Sequence, residues 1–184
     1  MMNIRFEKAS FDHKDTIFGW LDEPHMQEFW DNSPEHKEDI LNFMGGRVTP
    51  SSYHGGLFDY WVASLDGTLY CLVMTHEEHA GDKDAPEPFK PYLSDPGETY
   101  SLDFGIGNPD FVGKGLAATT LITFMDFFAK DIDPRTKRFL IDPGTHNPRA
   151  VHVYQNAGFK IVNEFVQEGG YFDQGQGVLM IKEV

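Results

Sequence analysis

"GNPDFVGKGLA", residues 107–117, is the stretch of sequence that decides the fold. Gly113, Gly115 and Ala117 are small residues that surround Lys114, and an apolar helical pattern follows directly. Small residues before a helix expose backbone N–H groups, and the helix N-terminus adds partial positive charge. The stretch therefore predicts an anion-binding turn, although a plain loop before a helix has the same sequence pattern.

Length and composition predict one folded domain, residues 1–184, because 40% of the residues are hydrophobic. Fifteen Lys and Arg against 29 Asp and Glu give a formal charge of −14. Such a charge repels nucleic acids and anionic membranes and concentrates cations near the protein. We therefore expect no nucleic-acid or membrane partner, while solubility alone is an equally simple explanation of the charge.

The N-terminal residues and the single cysteine predict an ordinary cytoplasmic protein. Residues 1–15 carry charges every few positions, and no window approaches the roughly 18 apolar residues of a membrane span. Cys71 lies in the apolar run of residues 69–74. It is expected to be a core residue and not a nucleophile.

Hydrophobic periodicity and turn residues predict a mixed α/β sheet. The best-defined elements of the first half are a helix that starts at Pro34 after the cap Ser33 and a hairpin with Asp66-Gly67 at its turn. Residues 76–98 are rich in acids and prolines and predict a long loop. The second half predicts strand 99–107, helix 115–130 and then strand, helix, strand, strand.

A second motif, "NPRAVHVYQNAGF", lies further along the chain at residues 147–159. Asn147 is the expected cap of its helix, and Ala150 and Tyr154 share one helical face. Together with "VGKGLA" at residues 112–117, this motif resembles the GCN5-related N-acetyltransferase (GNAT) superfamily. The pyrophosphate loop of that superfamily begins with Arg or Gln, whereas this chain has Val112, so a side-chain contact is missing there.

The resemblance implies an α/β fold with a mixed central sheet of six to seven strands, flanked by helices, in which two central strands splay apart. It also implies acetyl-CoA as cosubstrate, direct acetyl transfer and no metal. The amides of Ile106 and Gly107 are the expected donors to the acetyl carbonyl. The expected cosubstrate-binding residues are Phe104, Ile106, Gly107, Val112, Gly113, Lys114, Gly115, Leu116, Ala117, Asn147, Ala150 and Tyr154.

Further segments resemble one branch of the superfamily, the aminoglycoside 6'-N-acetyltransferases and the related acyltransferases of siderophore precursors. These segments are "WLDEPHMQEFW" at residues 20–30, "LDGT" at 65–68, "SDPGE" at 94–98 and Asp142-Pro143. By this resemblance Asp103 stands where the aminoglycoside enzymes have an acid and the siderophore enzymes have histidine. Asp103 therefore favours an aminoglycoside-like substrate.

Three residues are candidates for the chemistry of acetyl transfer. Tyr154 matches the general acid of the family, which protonates the departing thiolate; the alternative is that it is only the polar tip of a packed helix. Asp103 and Asp142 lie near the ends of the two central strands, where they could bind an ammonium group or accept its proton. A solvated strand end for Asp103 and a turn former for Asp142 are the alternatives.

Candidate substrate-binding residues lie in the helical entry segment and in the acidic loop. They are Trp20, His25, Trp30, Glu77 and Asp82, together with Asp103 and Asp142. The two tryptophans have core packing as their alternative, and the loop acids have simple solvation. The histidines lack the ligand spacing of a zinc site.

Three functions are consistent with these patterns. The first is acetyl-CoA-dependent N-acetylation of a cationic small molecule, with the 6'-amino group of an aminoglycoside as the leading substrate. The second is acylation of a siderophore precursor or another small amine, and the third is a CoA-binding module without turnover. A homodimer is possible, and the sequence does not decide it.

Overall fold

The computed structural model describes residues 3–169 and 171–184. Its seven-stranded sheet has the order β1-β2-β3-β4-β5-β7-β6. The strands are β1 Ile4–Lys8, β2 Asp59–Leu65, β3 Thr68–Glu78, β4 Thr99–Ile106, β5 Arg138–Ile141, β6 Lys160–Val166 and β7 Gln176–Glu183. The helices are α1 Lys14–Leu21, α2 Pro24–Gln27, α3 Pro34–Met44, α4 Ala117–Phe127 and α5 Pro148–Asn156. The expected mixed sheet with flanking helices is confirmed.

The chain forms two compact units. The first unit is the described part of Met1–His76 together with Asp103–Leu116. The second unit is Glu77–Leu102 together with the described part of Ala117–Val184. That the two units together form one domain, residues 1–184, remains a prediction.

In the first unit, local sequence signals determine the turn and the helix that were expected. Asp66 and Gly67 both have positive φ, 50° and 88°, as a tight two-residue hairpin turn requires. Ser33 caps α3 by accepting a hydrogen bond from the His36 N–H at 3.2 Å, and Gly45 ends the helix. The buried core of this unit joins α1, α2 and α3 to β2 and β3.

Helix α4 begins at Ala117, two residues later than expected. Gly115 has a φ of +73°, which is incompatible with a right-handed helix, so the helix begins only after this residue. After Phe127 the chain continues as a π-helical turn, Phe128–Ile132. This turn buries the Phe128 ring between Tyr100, at 4.7 Å, and Phe139, at 5.7 Å between ring centroids.

Strand β4 pairs with β5 in parallel over three residue pairs, the last of which joins Ser101 to Leu140. Strand β4 continues for five residues beyond that pair, to Ile106. The β1–β2, β2–β3, β5–β7 and β6–β7 pairs are antiparallel. The expected acidic loop is shorter than predicted, because β3 runs on to Glu78, where Ser101 Oγ donates to the buried carboxylate at 2.9 Å.

Among the described residues, the helices are all too short or too polar to cross a membrane. The cytoplasmic location stays a prediction.

Candidate active site

The turn at residues 113–116 has the backbone of an anion cradle. Gly113 and Gly115 both adopt positive φ, 74° and 73°, and they alternate with residues of ordinary φ. Such alternation turns successive N–H groups toward one point. Helix α4 follows with no acidic residue in its first turn, so its N-terminal partial charge is not cancelled there. A Cβ at Gly115 would meet no heavy atom within 4 Å, so a ligand has open space at this turn. The turn therefore fits a pyrophosphate.

Around the turn, the expected cosubstrate residues differ in exposure. Lys114 is exposed and Val112 is half-buried, whereas the Leu116 side chain is buried. Leu116 thus anchors the turn while its neighbours remain accessible.

The end of β4 is held by side chains from the α1–α2 segment, residues 14–30, which comprises α1, α2 and the turn that follows α2. His25 Nε2 lies 2.8 Å from the Ile106 carbonyl oxygen, and Trp30 Nε1 donates to the Phe104 carbonyl at 3.3 Å. The Gly107 N–H donates to the Tyr70 carbonyl at 2.9 Å. The expectation that this amide binds the acetyl carbonyl is therefore disfavoured, because it is already engaged inside the fold. Ile106 stays a candidate donor.

Trp20 and Trp30 are core residues of the first unit, which favours core packing over the expected pocket lining. Only 6% of Trp20 and 8% of Trp30 are exposed. A Cβ at Gly107 would lie 2.3 Å from the Trp20 ring, and one at Gly105 would lie 3.0 Å from Trp30 Nε1. Both rings therefore pack directly on the backbone of β4, and His25 is only half-buried beside them.

Asp103 is exposed on β4 and has two neighbours that the sequence did not reveal. The carboxylates of Asp31 and Asp103 both act on the buried Tyr53 phenol, and Tyr53 is hydrogen-bonded to Asp31. Burial, followed by these negative charges, raises the pKa of Tyr53 far above its ordinary value. The phenol therefore remains protonated and can only donate to a carboxylate. No spacing signal links residue 31 to residue 53, so sequence reasoning missed this group.

The second unit contributes the other motif in the expected form. Asn147 Oδ1 accepts a hydrogen bond from the Ala150 N–H at 3.1 Å and so caps α5. Tyr154 lies on this helix with only 7% of its surface exposed, and its ring is 6.2 Å from Phe159. Asp142 follows the end of β5 and is half-buried. The catalytic roles of Tyr154 and Asp142 stay predictions.

Glu77, near the end of β3, and Asp82, in the acidic loop, both hold backbone N–H groups of the loop. Glu77 Oε1 accepts a hydrogen bond from the Gly97 N–H at 2.8 Å. Asp82 Oδ1 accepts one from the Asp84 N–H at 2.9 Å. Both carboxylates therefore stabilise the loop, which weakens the expectation that they bind substrate.

Cys71 is completely buried, and burial raises the pKa of its thiol well above the ordinary value. This confirms the interpretation as a core residue. In the described parts of the chain, no three His, Cys, Asp or Glu side chains are grouped as metal ligands.

The family model described as "Acetyltransferase (GNAT) domain" matches residues 11–167. The chain belongs to the GNAT acetyltransferase family. As a GNAT acetyltransferase it is an acyltransferase, and enzymes of this family use acetyl-CoA.

Solved structures share the fold of this GNAT protein. The aminoglycoside N(6')acetyltransferase of Legionella pneumophila has a TM-score of 0.75 and 23% identity, and the match covers 98% of this chain and 91% of that one. Aminoglycoside acetyltransferase AAC(6')-Ib, in complex with coenzyme A and kanamycin, has a TM-score of 0.73 and 17% identity, with 98% and 95% covered. Spermidine N-acetyltransferase of Vibrio cholerae, in complex with CoA and spermine, has a TM-score of 0.70 and 16% identity, with 98% and 95% covered. At these identities the likeness is one of fold.

Proposed function

We propose that this acetyltransferase moves an acetyl group from acetyl-CoA to a primary amine of a cationic small molecule, most specifically the 6'-amino group of an aminoglycoside. The observation that carries the proposal is the group of Asp31, Tyr53 and exposed Asp103 in the first unit. Two carboxylates near one buried phenol, of which Asp31 is hydrogen-bonded to it, make a negative environment that attracts an ammonium group. The structural neighbours that bind kanamycin or spermine support the same class of acceptor.

The charges of the two substrates explain why an acidic chain keeps an anion cradle. Backbone amides at residues 113–116 would hold the pyrophosphate locally, without a positively charged surface. The net charge of −14 would act at longer range and draw in the polycation. Two substrates of opposite charge would thus be bound by different parts of the chain.

In the proposed reaction, Asp103 or a water that it holds accepts the proton that the amine loses as its nitrogen attacks the thioester carbonyl carbon. The carbon–sulfur bond then breaks, and Tyr154 donates its phenolic proton to the leaving sulfur. Asp142 would help to bind the ammonium form of the acceptor. The products are an amide and free CoA thiol, and the proton taken up by Asp103 returns through solvent to the Tyr154 phenolate, so protons and electrons balance.

The test is a thiol-release assay with acetyl-CoA and a panel of aminoglycosides, spermidine and hydroxylysine. Turnover of aminoglycosides that falls about 10²-fold in Asp103→Asn supports the proposal. Asp66→Asn is the matched control, because an exposed Asn-Gly pair suits the same hairpin turn. Turnover of only hydroxylysine would assign the protein to siderophore-type acylation, and CoA binding without any turnover would make it a binding module.

Ionic strength gives an independent readout of the charge argument. The KM for a polycationic acceptor should rise with added salt, because screening weakens long-range attraction. The KM for a neutral hydroxylamine acceptor should change less. A salt-independent KM for the polycation would contradict the proposed role of the negative charges.

A further inference from the structure

Two carbonyl groups at the end of β4 are bound by ring nitrogens from the α1–α2 segment. Trp30 Nε1 donates to the Phe104 oxygen at 3.3 Å, and His25 Nε2 contacts the Ile106 oxygen at 2.8 Å. A carbonyl oxygen only accepts hydrogen bonds, so Nε2 of His25 must carry the proton. Both contacts lie within the first unit.

The same two peptide groups are also bound at their N–H ends. The Gly107 N–H belongs to the peptide whose carbonyl is held by His25, and it donates to the Tyr70 oxygen at 2.9 Å. The Gly105 backbone is hydrogen-bonded to the Cys71 thiol, which lies on β3. The Phe104–Gly105 and Ile106–Gly107 peptide groups are therefore each fixed at the carbonyl end and at the N–H end.

The direction of the intervening Ile106 N–H follows from this arrangement. In an extended strand, the N–H and C=O of one residue point to the same edge, and those of the next residue point to the opposite edge. The Gly107 N–H points toward Tyr70 on β3, so the Ile106 N–H points to the other edge, together with the carbonyl that His25 holds.

Glycine at positions 105 and 107 lets the α1–α2 segment approach this closely. A Cβ at Gly105 would lie 2.8 Å from Met26 Cε, and one at Gly107 would lie 2.3 Å from Trp20 Cδ2. Both distances are shorter than real Cβ contacts. The segment and the strand end are thus packed without space for a larger residue between them.

We propose that His25 and Trp30 are positioning residues for acyl transfer: they fix the Ile106 N–H as the donor to the acetyl carbonyl of acetyl-CoA. This role differs from the substrate contact that the sequence suggested for them, and it rests on the proposed function. A preorganised amide stabilises the negative charge that develops on the carbonyl oxygen, because it needs no reorientation during the reaction. A small displacement of that donor lowers the rate although the substrates still bind.

The test compares His25→Leu, which loses the donor, with His25→Gln, which keeps an N–H donor. His25→Leu should lower kcat about tenfold, and His25→Gln should recover most of the rate. Trp30→Phe should lower kcat by a smaller factor, since its hydrogen bond is longer. His13→Leu is the control, because His13 is a half-buried histidine whose ring also bonds to backbone, at Ser10.

Binding measurements separate positioning from general loss of structure. By calorimetry, His25→Leu should bind acetyl-CoA about fivefold more weakly than the wild type but bind CoA equally well, because CoA has no acetyl carbonyl. His25 donates through Nε2 in its neutral and its protonated form, so the pH profile of His25→Gln should match that of the wild type.

Several results would overturn the assignment of His25. One is a wild-type rate in His25→Leu, and another is an increased KM for the amine at unchanged kcat, which would mean direct substrate contact. A titration that disappears in His25→Gln would mean that the imidazole itself transfers protons. If the wild-type protein turned over no amine, the proposed function would fail. The positioning role is tested separately, because equal affinities of wild type and His25→Leu for acetyl-CoA would overturn it.

Discussion

Replacing Gly107 by alanine tests directly how the end of β4 is packed. The added Cβ would lie 2.3, 2.4 and 2.6 Å from three atoms of the Trp20 ring. Carbon atoms in contact are normally about 3.5–4.0 Å apart, so the ring or the strand must move by roughly 1 Å. Trp20 is only 6% exposed and packed in the core, which leaves it little room. We expect Gly107→Ala to lower the free energy of unfolding by about 1–3 kcal/mol.

Gly19 provides the matched control, because it precedes Trp20 in α1 and a Cβ there would meet no heavy atom within 4 Å. Gly19→Ala should raise the free energy of unfolding by about 0.5–1 kcal/mol, since alanine favours a helix. Urea unfolding at pH 7, followed by circular dichroism, gives both values. In a double variant, Trp20→Leu should relieve part of the cost of Gly107→Ala, with a coupling of about 1 kcal/mol. Equal stability of Gly107→Ala and Gly19→Ala would refute the packing argument.

Three further predictions concern the cradle, the proposed acid and the ion pair of the buried Asp133 with the exposed Arg135. Gly115→Ala should weaken CoA binding in calorimetry by about tenfold, because alanine disfavours the φ of +73° by about 1–2 kcal/mol; unchanged affinity would contradict the cradle. Tyr154→Phe should lower kcat about 10²-fold while changing CoA affinity far less, and a wild-type kcat would exclude Tyr154 as the acid. The Arg135 hydrogen bonds hold the pKa of Asp133 at about 2, below its ordinary value of 3.8. The ionised carboxylate therefore stabilises the fold above about pH 4. This stabilisation is lost as the pH falls through about 4 toward about 2. Asp133→Asn should therefore be less stable than wild type in urea at pH 7, and the difference should shrink at pH 2.5; a difference that stays constant with pH would contradict the ion pair.

Much of the fold was predictable because it depends on short stretches of chain. The Asp66-Gly67 turn and the Ser33 cap are set by residues that are neighbours in sequence. The start of α4 was misplaced by two residues, since the apolar pattern does not report the φ of Gly115. The family follows from two motifs whose roles are carried mainly by backbone geometry.

The candidate site was less predictable, because its geometry depends on residues distant in sequence. Aromatic residues at helical spacing suit a core and a pocket equally well, and only burial assigned Trp20 and Trp30 to the core. The hydrogen bond that engages the Gly107 amide comes from pairing with Tyr70, which no local pattern indicates.

By itself, the sequence determined the superfamily, the mixed sheet, the capped helices and the glycine turn at residues 113–116, because these depend on local φ preferences and side-chain capping. Only the tertiary structure brought Asp31 and Tyr53 to Asp103 and brought His25 to a carbonyl 81 residues away. Such contacts arise when separate apolar surfaces pack together. Their partners are chosen by the shape of the whole core, which no single segment encodes.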